Sequence, residues 1–351
     1  MHAHLLRAAG AITAAGALAL LGLAGTGAAA TPAAARPTAA PPKVIATIPV
    51  GGLPLGIAVS PRTGAVYVAN SADNSVSVIN GRTNKVTATI PAPTPGSSST
   101  YGVAVSPRTG AVYVTNTILC CRRSSAGTNS MSVINGRTNK VTATIPVGAA
   151  PRGVAVNART GAVYVANATG SVSVINGRTN KVTATIPVGS EPEGVAVSPR
   201  TGAVYVTNFS GSSVWVINGR TNKVTATIPV GIDPFGVAVS PRTGTVYVVN
   251  NFTPGSVSVI NGRTNKVTAT IRVGSEPTGV AVSPRTGAVY VANKAFSDST
   301  VSVINGRTNK VTATVRVGHE PWGVAVSRRT GDVYVTTAAS RVAVISGKDV
   351  R

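Results

Sequence analysis

The sequence predicts an all-β protein, a seven-bladed β-propeller with four antiparallel strands per blade, and three observations lead there. The motif G-[VI]-A-V-[SN]-x-R-T-G occurs seven times, beginning at Gly56, Gly102, Gly153, Gly194, Gly236, Gly279 and Gly323, at intervals of 41 to 51 residues. Repeats of that length, each with about four short strands, are the mark of blades set radially around a channel. Within each interval four runs rich in β-branched residues alternate with turn signals. The chain ends are also complementary, because a fourth-strand sequence stands alone before the first repeat and is missing after the last.

The third repeat shows the four strands in order. Gly153 to Asn157 is an apolar first strand, and the turn Ala158-Arg159-Thr160-Gly161 leads into A-V-Y-V-A-N; Ser171 to Asn176 and Lys181 to Ile186 complete the set. The last alternates, with Val182, Ala184 and Ile186 expected on one face against a neighbouring blade and Thr183 and Thr185 on the other. Gly closes the R-T-G turn, where a left-handed residue is wanted, and N-G opens the next. A proline after the fourth strand fits an outer edge, where no ladder donor is needed.

Six copies of N-G-R-T-N-K-V-T-A-T-[IV] exist, whereas the seventh repeat runs from Val342-Ala343-Val344-Ile345 into Ser346 to Arg351 without a fourth strand. Lys43 to Val50 reads K-V-I-A-T-I-P-V and has no partners of its own, so this N-terminal strand is expected to join the C-terminal blade. Closure of that kind covers an edge that invites aggregation and makes the ring one cooperative unit.

The tetrapeptides Tyr113-Val114-Thr115-Asn116 and Tyr205-Val206-Thr207-Asn208, with Y-V-A-N at Tyr67, Tyr164 and Tyr290, resemble the YVTN-type β-propeller repeat, as does the trailing V-x-A-T-I-P-V-G. Tyr247 continues as Y-V-V-N and Tyr334 as Y-V-T-T. The resemblance covers the chain from Lys43 onward. It implies seven blades and an exported or cell-surface setting, and it carries no catalytic motif.

Residues 1–30 read as a signal peptide: His2, His4 and Arg7 precede an Ala/Leu/Gly run, and Ala28 and Ala30 suit cleavage before Thr31. An uncleaved anchor is the competing reading, weakened by the run's many Gly and Ala. No cysteine stands near the cut, which excludes a lipoprotein. Residues 31–42 form a Pro/Ala-rich disordered tether, and 43–351 the propeller. No membrane span is expected once the signal is removed. The two cysteines, Cys120 and Cys121, are adjacent in the longest loop and cannot staple distant parts of the fold.

The net charge is +23. Turns after first and third strands emerge on one face of the disc and the remaining turns on the other. Arg62, Arg108, Arg159, Arg200, Arg242, Arg285 and Arg329 are expected to form an inner ring on the first face. Arg82, Arg137, Arg178, Arg220, Arg263 and Arg307, with Lys85, Lys140, Lys181, Lys223, Lys266 and Lys310, form an outer ring; together these are 19 of the 32 basic residues. Seven of the nine acids (Asp73, Glu191, Glu193, Asp233, Glu276, Asp298 and Glu320) belong to the opposite loops. The basic face should attract polyanions, nucleic acid or an anionic wall polymer, without sequence specificity because its turns lack aromatic residues for base stacking. Duplication of one basic turn would produce the same rings without any binding role.

The other face carries what differs among blades. Just before each first-strand Gly stand Leu55, Tyr101, Arg152, Glu193, Phe235, Thr278 and Trp322, with His319 and Glu320 slightly upstream in the last repeat. Chemically diverse residues around a channel mouth suit a protein, peptide or glycan ligand; drift in exposed loops is the plain alternative.

Catalysis finds little support. Beyond the leader the only histidine is His319, so neither a Ser-His-Asp triad nor a multi-histidine metal site can be assembled. The first strands carry no acid, unlike propellers of the lactonase type, which gather Glu, Asp and Asn around the channel. No catalytic residue, metal site or cofactor is therefore expected. The reading is a secreted or cell-surface, non-enzymatic, monomeric binding propeller; a lactonase-like or glycan-cleaving enzyme at the mouth and a purely structural surface-layer component are the alternatives.

Overall fold

The computed structural model describes residues 41–92, 98–118, 129–295 and 299–347. They form seven four-stranded antiparallel sheets, each built from sequence-adjacent strands except the last. In blade three the strands are Pro151–Val156, Ala162–Asn167, Ser171–Asn176 and Lys181–Pro187, in that spatial order. The last sheet is completed from the other end of the chain: Val44–Pro49 pairs antiparallel with Arg341–Ile345, setting Thr47 opposite Ala343 and Ile48 opposite Val342. Ring closure is thus by the N-terminal strand. The signal segment, most of the tether, Cys120-Cys121 and Asp298 lie outside the described residues.

Each blade buries apolar residues against the next. Tyr164, Val172, Val174 and Ile186 of blade three share a cluster with Val195, Val204, Val206 and Ile217 of blade four. A cluster of the same kind, holding Ile48, Val342, Val344 and Tyr334 with Ile57, Val66 and Val68, joins the last blade to the first. The second strands, flanked on both sides, are buried along their length, which is why they read as near-continuous Val, Tyr and Ala. Their tyrosines also bolt blades together. Tyr67, Tyr164, Tyr205 and Tyr247 each donate from the phenol to a glycine carbonyl of the next blade (Gly136, Gly219, Gly262 and Gly306) at 3.1 to 3.3 Å, and Tyr334 reaches Gly81 across the closure.

The first-strand glycine follows from the same crowding. A Cβ on Gly153 would stand 2.6 Å from the Glu193 carbonyl oxygen of the neighbouring blade, and all seven equivalent glycines meet the next blade's backbone in this way. Only a residue without a side chain lets seven inner strands converge so closely.

One local expectation is corrected. Ala184 and Ile186 turn inward, but Val182 is 40% exposed: Val174 pairs with Ala184 and Ile175 with Val182, so Thr183 is an extra residue in the ladder. The bulge breaks the strict alternation, and the strand lies on the rim. The glycine closing each R-T-G turn is left-handed as expected, Gly161 at φ 80°, and in the N-G-R-T-N turn that conformation falls to the closing asparagine, Asn84 at φ 55°. Asn80 Oδ1 accepts the amides of Arg82 and Thr83, and Gly81 is required because a Cβ there would run into the Gly64 carbonyl.

Candidate functional site

Two surfaces are built around the channel, one at each end. At the variable end the first-strand entries surround a depression of about 180 Å³ lined by Leu55, Tyr101, Glu193, Phe235, Thr278 and Trp322, above a floor of glycines and first-strand valines. Among the described residues Glu193 is the only charged side chain in that lining. Tyr101 donates to Glu193 Oε2 at 3.4 Å, and Arg152 Nε lies 3.7 Å from Glu193 Oε1, an ion pair too long for a hydrogen bond. The Arg152 guanidinium stacks over the Tyr101 ring at 4.8 Å. Burial pushes the Glu193 carboxyl up to about 7; the Arg152 charge and the Tyr101 hydrogen bond pull the other way, and nearby Glu191 adds to the rise. Burial, then the Glu193 charge, raises the Tyr101 phenol.

Across the mouth the surface is aromatic. Phe235 meets Trp322 edge-on at 5.5 Å and Phe209 at 6.2 Å, and the Lys294 ammonium caps the Trp322 ring at 4.9 Å. The mouth is therefore divided into a polar half, Tyr101-Arg152-Glu193, and an aromatic half, Phe235-Trp322-Phe209. Of the nine candidates on this face, Arg152, His319 and Glu320 stand outside the lining of the depression. Thr278 lines it, but its hydroxyl is committed to the Pro321 and Trp322 carbonyls of the next blade, and Leu55 is buried. Thr115, Thr207 and Thr336 make the same clasp from second strands, to the carbonyls of Arg152, Phe235 and Leu55.

Phe209 and Lys294 escaped the sequence reading, yet their signal was present. Both follow the asparagine of the Y-V-x-N motif, a position occupied elsewhere by Ser71, Thr117, Ala168, Asn251 and, after Thr337, Ala338. That is a second variable position, and the second-strand loop brings it beside the first at the mouth.

At the opposite end the seven inner-ring arginines form a closed belt. Arg62 Nη1 donates to the Arg108 carbonyl, Arg108 to Arg159, Arg159 to Arg200, Arg200 to Arg242, Arg242 to Arg285 and Arg285 to Arg329, and Arg329 closes the circle on the Thr63 carbonyl, all at 2.5 to 3.3 Å. All seven side chains are exposed. Among the described residues the only ion pair is Arg152 with Glu193, on the other face, so no described carboxylate pairs with a belt guanidinium; Asp332, at the end of the blade-seven R-T-G turn, accepts the Gly347 amide instead. Between blades seven and one a groove of about 550 Å³ sets belt residue Arg329 beside outer-ring Arg82, with Thr63, Asn80 and Thr330.

No family model matches the chain, and no curated protein matches it in sequence. Solved structures do match in shape. A chain from the "Crystal Structure of Mitotic Checkpoint Complex" superposes with a TM-score of 0.75 at 15% identity, over 94% of this chain and 98% of that one. A chain of Kuenenia stuttgartiensis hydrazine synthase gives 0.69 at 19% identity, over 86% and 97%. At such identities the likeness is one of fold. Among the described residues no helix is long and apolar enough to cross a membrane.

Proposed function

We propose that this protein is a non-enzymatic binding scaffold with two working faces, exported or displayed at the cell surface as its resemblance to YVTN-type propellers implies. The variable mouth takes a protein, peptide or glycan partner, and the basic face holds the disc on an anionic wall polymer or nucleic acid. One observation carries the reading: seven exposed arginines are tied to backbone carbonyls, and among the described residues none of them is paired with a carboxylate, so the positive charge of that face is held in place. The mouth supports it from the other side. A depression with an aromatic half and a polar half offers apolar anchors beside a few directional groups, the composition of recognition sites. A glycan-cleaving site would call for two carboxylates facing one another, and Glu193 is the single carboxylate lining this depression among the described residues.

The test is binding of the chain from Thr31 onward to a single-stranded oligonucleotide and to a wall-type phosphodiester polymer across a salt series. Affinity is expected to fall by about 100-fold or more between roughly 50 and 200 mM salt, with no preference among oligonucleotide sequences. Binding insensitive to salt, or strongly sequence-dependent, would refute the reading of the basic face.

A further inference from the structure

A polymer lying across a disc and a compact anion on its axis meet different charges. The R-T-G turns join the two innermost strands of every blade, so the belt arginines encircle the channel exit, while the N-G-R-T-N turns join the outer strands and stand farther out. A linear chain crossing the face passes a few belt residues and several outer ones. A compact group of anions on the axis is equally placed toward all seven belt guanidiniums, whose fields add there.

The belt's hydrogen bonds sharpen the contrast. Each guanidinium gives one Nη1 donor to its neighbour's carbonyl and keeps its other N–H groups. A free arginine loses rotamer entropy when it captures a phosphate; a clasped one has been ordered by folding. Seven ordered cations held in a circle also repel one another, none of them ion-paired with a carboxylate among the described residues, and a multivalent anion relieves that repulsion in one binding event. Single phosphates gain little, since one belt position offers one guanidinium.

We propose that the belt of Arg62, Arg108, Arg159, Arg200, Arg242, Arg285 and Arg329 is a binding collar for a compact polyphosphate, a ligand carrying several phosphate groups close enough together to be met at once from around the channel exit. This deepens the polyanion reading of the same face and rests on it. The ligand class covers a free phosphorylated small molecule and the phosphorylated end of a larger one, which share the chemistry the collar recognises.

The experiment is calorimetric titration with myo-inositol hexakisphosphate and with tripolyphosphate, with orthophosphate at equal total phosphate as control. Three proteins are compared: the wild type, a belt variant (Arg108→Gln, Arg200→Gln, Arg285→Gln) and an outer variant with the same charge loss (Arg137→Gln, Arg220→Gln, Arg307→Gln). Hexakisphosphate is expected to bind at one site per chain, about 10-fold or more weaker in the belt variant and within about 3-fold of wild type in the outer one. Should the belt variant fail to fold, Arg200→Gln alone leaves six clasps and is expected to weaken binding by about 3-fold. Equal weakening by belt and outer variants would overturn the collar while leaving a diffuse basic face intact, as would orthophosphate matching hexakisphosphate. Absence of saturable binding by any of the three would also overturn it, and the polymer salt series then judges the broader reading on its own.

Discussion

The asparagine that ends each second strand shows how one side chain can be explained by its partners. Asn167 donates through Nδ2 to Ser171 and Ser173 at 3.1 and 3.0 Å, and Asn70, Asn116, Asn250 and Asn293 make the equivalent pair of bonds to hydroxyls of the third strand. In blade four Trp215 replaces the second serine, and both Asn208 amide atoms are buried without a partner. In blade seven Ala343 stands there and the asparagine itself becomes Thr337, which bonds the Arg341 carbonyl instead. Since each such bond is worth about 1 kcal/mol net, Asn167→Ala is expected to cost about 2 kcal/mol and Asn208→Ala less than about 1 kcal/mol, read from urea midpoints. Equal costs would mean that the amide stabilises the blade through something other than these hydroxyls. The asparagine was legible in the sequence as part of a motif, but its partner was not, because the pairing runs across strands. The same holds for the belt: arginine at the R-T-G turn is visible in the sequence, whereas its bond to a carbonyl more than 40 residues away is a product of ring closure.

At the scale of elements, the strand boundaries were close to fully legible, because seven copies of one pattern repeat the same β-branched runs between the same turns. Departures came where period two is broken. The bulge at Thr183 recurs in the fourth strands of blades one to six as a register shift, and it exposes Val86, Val182, Val267 and Val311, residues that alternation alone places inside. The closing strand makes the most direct prediction. Removing residues up to Val50 strips the partner from Arg341–Ile345 and the Ile48 side chain from the cluster shared by blades seven and one. Such a chain is expected to melt at least about 10 °C lower and to self-associate through the bared edge. A synthetic Lys43-to-Val50 peptide should suppress that self-association. An unchanged melting temperature would show that the ring does not depend on this pairing.

At the scale of the whole propeller, the constant turns and the variable positions lie on different faces of the ring. Near-identical turns place Arg and Lys together on one face, while single variable positions gather Tyr101, Glu193, Phe235 and Trp322 into one depression on the other. The division itself was legible, since alternate turns of an up-and-down sheet must emerge on opposite faces. The split of the mouth into polar and aromatic halves was not, because it depends on which blades are neighbours in the ring and on loop residues such as Phe209 and Lys294. Lysine footprinting can read both faces in one experiment, because Lys85, Lys140, Lys181, Lys223, Lys266 and Lys310 share the basic face and Lys294 stands at the mouth. In the presence of a saturating anionic polymer the first six are expected to lose reactivity toward an amine-modifying reagent while Lys294 keeps its own. Protection of Lys294 to the same degree, or of none of the seven in a complex shown to have formed, would contradict the assignment of separate tasks to the two faces.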